Sequence, residues 1–305
     1  MDEIDILICQ KLMQNARIPY REIASELKLT VAAIHNRIQN LQDAGIIKAF
    51  TANISLSYLD MVSVLLFGSS KADSMDEVAR SLNKDSRTNA LLVSTGNFIY
   101  VSGYLNHLSD LESYTDYIKN TCSLTSVTVA IEAFGPPGQT KPTRSEPKRR
   151  LSPLDLKIID SLHWDARKRI TDIAKEVGVS SKTVKRHLNS MIENQTIELV
   201  IQWHPDSSND IIPFIHVNLM DGSDKFKVGM ELMRTLGPRV VFFRQFSNIP
   251  NFIILVGWSN TMKEMKELID ELENREDVVS AIPYAIYTGY RFETFRDDII
   301  NTKII

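Results

Sequence analysis

The side chains most able to do chemistry in this 305-residue sequence are six histidines, His35, His107, His163, His187, His204 and His216, and two cysteines, Cys9 and Cys122. No pair of histidines has metal-ligand spacing such as HxxxH and neither cysteine sits in a CxxC, so the spacing argues against a structural or catalytic metal. No Ser/His/Asp or Cys/His pattern, Gly-rich phosphate loop or paired-carboxylate motif rises above an ordinary charged helix face. The expectation is therefore of no enzyme, no cofactor and no metal site. A different chemistry does stand out. In SKTVKRHLNSMIE the residues Ser181, Lys182, Lys185, Arg186 and Asn189 fall on one helical face, with Arg167, Lys168, Arg169 and Lys175 nearby and the run Lys148, Arg149 and Arg150 upstream. Clustered cations beside uncharged hydrogen-bonding groups suit a polyanion that is also read for pattern. A polar face on an isolated helix is more often merely solvated, so the weight falls on the elements that hold it.

Those elements are duplicated. Sliding the chain by 150 residues aligns MDEIDILICQKLMQNARIPYREIASELKLTVAAIHNRI with LSPLDLKIIDSLHWDARKRITDIAKEVGVSSKTVKRHL without a gap. Identities fall at Asp5/Asp155, Ile8/Ile158, Leu12/Leu162, Ala16/Ala166, Arg17/Arg167, Ile23/Ile173, Ala24/Ala174, Glu26/Glu176 and Ile47/Ile197. In the first copy Ile4, Ile8 and Leu12 form one apolar helical stripe, and Ile23, Ala24 and Leu27 mark a short second helix. Thr30 then offers an N-cap to a third helix carrying Ile34, Ile38 and Leu41, which Gly45 is placed to end. IIKAFTANI follows as a wing strand. Three helices and a wing, with a tight turn between the second and third helices, describe a winged helix-turn-helix.

Beyond each such module the pattern becomes βαββαβ. In the first copy it runs MVSVLLFGS, SMDEVARSL, NALLVST, FIYVSGY, LSDLESYTDYI and LTSVTVAIEAF, and in the second FIHVNLM, KVGMELMRTL, VVFFRQF, FIILVGW, MKEMKELIDEL and VVSAIPYAIY. This is the ferredoxin-like order, an antiparallel sheet with both helices on one face and the other face left for a partner. The fold class is α+β, with two winged helix-turn-helix domains (1–55 and 151–205) alternating with two ferredoxin-like domains (60–134 and 211–288). A Pro-, Gly- and charge-rich linker (135–150) joins the halves, and an amphipathic tail (289–305) is suited to docking or swapping onto a partner chain.

Composition bounds the setting. A net charge of −3 averages a near-neutral stretch 1–50, a slightly positive 151–200 and acidic stretches between them. The start MDEIDILICQ lacks a basic n-region, no apolar run approaches the roughly 18 residues that span a bilayer, and two well-separated cysteines suit a reducing compartment. A cytoplasmic protein without a membrane partner is expected.

The duplicated module resembles the Lrp/AsnC (feast/famine) transcription regulators across nearly the whole chain. The resemblance rests on Asp5 in the first helix, the Asn15-Ala16-Arg17 and Asp165-Ala166-Arg167 turns, Ile23-Ala24 and Ile173-Ala174, and Arg37-Ile38 ahead of Leu41 and Gly45-Ile46. It implies a sequence-specific, double-stranded DNA-binding regulator, with the βαββαβ portions as regulatory (RAM-type) domains that pair sheet to sheet and can hold an amino-acid effector. Most members carry one copy of each domain. A tandem chain implies a covalent pseudo-dimer, and a homodimer through the ferredoxin-like sheets would make a pseudo-tetramer.

On that reading the first recognition helix presents Val31, Ala32, His35, Asn36 and Gln39, with Arg37 at its flank, and the second presents Ser181, Lys182, Lys185, Arg186 and Asn189. Unlike helices predict an imperfect palindrome. Arg37 becomes His187 and Gly45 becomes Gln195 in the second copy, which raises the prospect of an altered wing exit there. The effector turn of the family, Ser/Thr-Gly-Asp-x-Asp-Tyr, is reduced to Thr95-Gly96-Asn97-Phe98-Ile99-Tyr100 and then to Ile249-Pro250-Asn251-Phe252-Ile253-Ile254. Thr95, Gly96 and Asn97 are the candidate effector residues, weighed against a turn that only packs. Two other classes stay open: a ligand sensor or protein-interaction module whose helix-turn-helix copies do not bind DNA, and an enzyme like the siroheme decarboxylases, which are similar to this family.

Overall fold

The computed structural model describes residues 1–133 and 150–302, so the 135–150 linker lies outside the described residues apart from Arg150. In the first copy the chain forms α1 (Glu3–Gln14), α2 (Tyr20–Leu27), α3 (Val31–Asp43), β1 (Ile47–Ile54), β2 (Val62–Ser69), α4 (Met75–Leu82), β3 (Thr88–Ser94), β4 (Phe98–Leu105), α5 (Leu111–Thr121) and β5 (Thr128–Ala133). The second copy repeats this as α6 (Pro153–Leu162), α7 (Ile170–Val177), α8 (Ser181–Glu193), β6 (Ile197–Trp203), β7 (Ile212–Leu219), α9 (Lys225–Leu236), β8 (Val240–Phe246), β9 (Phe252–Gly257), α10 (Met262–Glu273) and β10 (Val278–Arg291), followed by α11 (Phe295–Thr302).

The copies are not arranged as two successive halves. Like associates with like: one compact unit holds the sheets (Met1, 61–133 and 208–294 of the described residues), and the other holds the helical modules (2–60, 150–207 and 295–302). In the sheet unit each copy orders its strands last-first-third-second, and the two sheets join into a closed barrel, β10-β3-β4-β2-β5-β8-β9-β7. All the pairings are antiparallel. The last strand of each copy pairs with its own first strand and with the second strand of the other copy: β10 with β7 and β3, β5 with β2 and β8. The two βαββαβ copies thus join strand to strand within one chain. Among the described residues, each copy's sheet meets the sheet of the chain's own other copy.

Alternation along the strands explains the layering. Val64, Leu66, Ile99, Val101, Leu91 and Val93 face the helices and form one core with Tyr114 and Ile118. Ile215, Val217, Ile253 and Leu255 form the other with Leu232 and Leu268. The intervening residues face inward between the sheets, where Phe67, Phe98, Tyr100, His216, Phe252 and Tyr284 pack ring against ring. Centroids lie 5.1 Å apart for Phe67 and His216 and 4.3 Å for Phe98 and Tyr284. Tyr100 and His216 are both buried, and their Oη and Nε2 atoms are 2.8 Å apart.

The helical unit is built the same way, as a pair. β1 and β6 lie antiparallel from Ile47↔Trp203 to Ile54↔Ile197, so each expected wing strand finds its partner in the other copy. Arg17 Nη1 donates to the carbonyls of Ala166 and Lys168 (3.0 Å to the latter), and Arg167 donates reciprocally to Ala16 (2.5 Å) and Ile18 (3.2 Å). The tail after β10 docks within its own chain: in α11 Ile300 is fully buried and Arg296 Nε donates to the Ile54 carbonyl at 2.6 Å.

Candidate nucleic-acid interface

The two recognition helices are positioned by the same three devices. The first is a cap. Thr30 Oγ1 accepts from Ala33 N at 3.1 Å and Ser180 Oγ from Thr183 N at 3.1 Å, satisfying a backbone donor that the helix itself leaves free. The second is an apolar stripe, Ile34, Ile38 and Leu41 in α3 and Val184, Leu188 and Met191 in α8, all buried. The third is a side-chain contact to carboxylates at the start of the module's first helix. Arg37 Nη1 meets Asp2 and Asp5 at 2.8 Å each, and His187 Nδ1 meets the fully buried Asp155 at 2.7 Å. Hydrogen bonds to Asp5 and Asp2 hold the Arg37 pKa above its ordinary value.

Left-handed backbone residues set the turns on either side. Gly45 ends the α3 segment at φ +74°, and Gln195 takes the same conformation at φ +52°, so the loss of glycine does not change the exit into the strand. At the α2–α3 turn the substitution is reversed, with Lys28 at φ +55° and Gly178 at φ +72°. The wing exit anticipated as altered in the second copy is thus preserved, with strain carried by a non-glycine residue at one end of each module.

The faces so presented match the expected residues. Ala32, His35, Asn36 and Gln39 are exposed on α3, as are Ser181, Lys182, Lys185, Arg186 and Asn189 on α8. Arg37 differs: it is half-buried and engaged by two carboxylates. Gln39 Nε2 donates to Asp43 within its own helix at 2.9 Å. Among the described residues Lys182, Lys185 and Arg186 have no ion-pair partner. Two cations of the neighbouring basic cluster are already used. Arg167 stacks over Tyr20 (4.1 Å) while serving the other module's carbonyls, burial lowers its pKa, and Lys168 pairs with Glu176 at 2.7 Å. Arg169 and Lys175 stay exposed.

The candidate effector turn is placed elsewhere, in the sheet unit. Thr95, Gly96 and Asn97 are exposed, with Gly96 at φ +71° and Asn97 at φ +55°. The Asn97 carbonyl accepts from Ser70 N at 2.9 Å, and the Asn251 carbonyl accepts equivalently from Leu219 N at 2.7 Å. Each turn is thus tied by its backbone to the end of the first strand of its copy. The histidines are likewise dispersed. His216 is buried in the aromatic layer, His163 Nδ1 lies 3.1 Å from the Ala52 carbonyl, and His35 and His187 lie on the recognition helices. Among the described residues no group of His, Cys, Asp and Glu could hold a metal ion, and no helix is long and apolar enough to cross a membrane. The aromatic layer escaped sequence reasoning, because its members lie on five strands and show only as alternate aromatic positions.

Comparison with known proteins bears on both modules. The AsnC-type helix-turn-helix domain matches residues 1–42, and a winged helix-turn-helix DNA-binding domain matches 151–198. An uncharacterized HTH-type transcriptional regulator of Pyrococcus abyssi is 30% identical over 130 residues, covering 42% of this chain and 86% of that protein. The HTH-type transcriptional regulator LysM of Saccharolobus solfataricus is 34% identical over 98 residues, 32% of this chain and 68% of LysM. The crystal structure of the siroheme decarboxylase NirDL covers 99% of this chain and 98% of its own at a TM-score of 0.58 and 14% identity, a likeness of fold.

Proposed function

Since this chain belongs to the Lrp/AsnC family of helix-turn-helix transcription regulators, we propose that it is a sequence-specific, double-stranded DNA-binding regulator acting in the cytoplasm, in which two tandem helix-turn-helix and regulatory units make one pseudo-dimer within a single chain. The observation that carries this reading is the pair of capped recognition helices in one compact unit, each buried on its apolar stripe and exposed on its polar face, with Lys182, Lys185 and Arg186 open to solvent on α8. Cations so placed can neutralise phosphates while neighbouring amides and hydroxyls meet base edges. The βαββαβ portions are read as ferredoxin-like, RAM-type domains whose mutual pairing is met internally. An effector, if the barrel takes one, would be met at the exposed Thr95–Asn97 turn, where the Asn97 carbonyl is already bonded to Ser70 N.

The test is retardation of a labelled duplex from upstream of the protein's own gene by the purified full chain, competed with bulk DNA. Binding that resists a large excess of bulk DNA supports the regulator, and no binding to either DNA at low salt overturns it. A second reading, an enzyme like the siroheme decarboxylases, draws on the full-length likeness to NirDL. It calls for basic and imidazole groups gathered around a large acidic substrate, whereas Arg17 and Arg167 are spent on backbone carbonyls and His216 is enclosed by aromatic rings. Spectral titration of the chain with siroheme distinguishes the two.

A further inference from the structure

The recognition helices differ at every outward position. At the 150-residue offset Val31 aligns with Ser181, Ala32 with Lys182, His35 with Lys185, Asn36 with Arg186 and Gln39 with Asn189. The one cation of α3, Arg37, is held by Asp2 and Asp5, so α3 offers a groove no exposed cationic side chain, while α8 offers three. At the start of α3 Val31 is 49% exposed, an apolar side chain where a soluble helix has no packing use for one. Its chemistry and that of Ala32 suit the C5-methyl of thymine. Asn36 suits the bidentate contact to adenine N6 and N7, and the Arg and Lys of α8 suit guanine O6/N7 and phosphate oxygens.

A helix without a free Lys or Arg binds DNA weakly by itself. Here it does not act by itself, because β1–β6 pairing and the reciprocal Arg17 and Arg167 bonds fix the two modules to each other. Once α8 is seated, α3 meets the adjoining DNA at the effective concentration of a tethered group. Resting on the DNA-binding reading above, we propose that the target is a composite site of unlike halves: an A·T-rich half read by α3 through thymine methyls and adenine edges, and a G-containing half gripped by α8, which supplies most of the salt-dependent affinity.

The experiment is selection of bound duplexes from a random pool with the full chain, followed by titration of the selected site and of the same site with uracil replacing thymine in its A·T half. The wild type should select a non-palindromic site and lose roughly fourfold in affinity per contacted methyl on uracil substitution. Val31→Ser, which installs the residue the second copy carries there, should reduce that loss by the share of one methyl, roughly fourfold, without altering the salt slope. Asn36→Ala should relax the choice of adenine in the same half. A palindromic selected site, or a uracil effect equal in wild type and Val31→Ser, overturns the composite site while leaving DNA binding intact. Failure to select any duplex overturns both readings.

Discussion

Acidification should loosen the barrel at one identifiable point. His216 lies between the sheets with Phe67, Phe98, Phe252, Tyr100 and Tyr284 around it, 8% exposed, and burial depresses its pKa from 6.5 to about 4. A histidine whose folded pKa is depressed is neutral in the folded chain and cationic in the unfolded one at mildly acidic pH. Its contribution is therefore present above pH 6.5, falls as pH drops through 4, and levels off once the pH is below both values. The two pKa values put the loss at about 2 kcal/mol at pH 5 and about 3 kcal/mol at pH 4 relative to pH 8. The perturbation is His216→Gln, which removes the titration yet keeps an amide able to meet the Tyr100 hydroxyl. The assay is urea unfolding followed by tryptophan fluorescence and circular dichroism at pH 8, 6, 5 and 4. Other groups titrate in both proteins, so the informative quantity is the difference between them: wild type should lose the stated amount more than the variant. Parallel curves would refute the assignment of a neutral, buried His216.

Other substitutions test the remaining contacts. Gln195→Gly and Lys28→Gly, each relieving a left-handed non-glycine residue, should stabilise the helical unit by about 1 kcal/mol in chemical denaturation, and Gly178→Ala should destabilise it by a similar amount. Arg167→Ala should cost about 2–3 kcal/mol by removing charged hydrogen bonds to Ala16 and Ile18 and the stacking on Tyr20, and Arg167→Lys should recover little, since an ammonium cannot reproduce the planar fork. Asp155→Ala should cost about 3 kcal/mol, because the buried carboxylate both caps α6 through Ser152 and receives His187.

What could be read from the sequence was what is local. Helix ends at Thr30, Ser180 and Gly45 follow from side chains within three residues of the backbone they serve, and the apolar stripes of α3 and α8 follow from period alone. The outward residues of both recognition helices were legible for the same reason. The fate of Arg37 was not, because it depends on how α1 crosses α3 and brings Asp2 and Asp5 to the guanidinium. Association of like with like was hidden too. Phe67 and His216 occupy equivalent strand positions in the two copies but lie far apart in sequence, and no periodicity distinguishes pairing within a chain from pairing between chains. β10 runs for 14 residues because it serves β7 and β3 in succession, a length that only the closed barrel explains. The hydrogen bond from Ser70 N to the Asn97 carbonyl of the Thr95–Asn97 turn joins residues distant in sequence, which a motif does not display.

The central claim, that α8 grips DNA, is tested most directly by the salt dependence of binding to the upstream duplex for wild type and for Lys185→Ala/Arg186→Ala. Both side chains are exposed and without an ion-pair partner among the described residues, so the double variant should fold normally. Wild-type affinity should fall steeply with salt, and the variant should bind more weakly with a log–log slope shallower by about 2, one unit per lost phosphate contact. Identical slopes for the two proteins, or wild-type binding indifferent to salt, would contradict the claim.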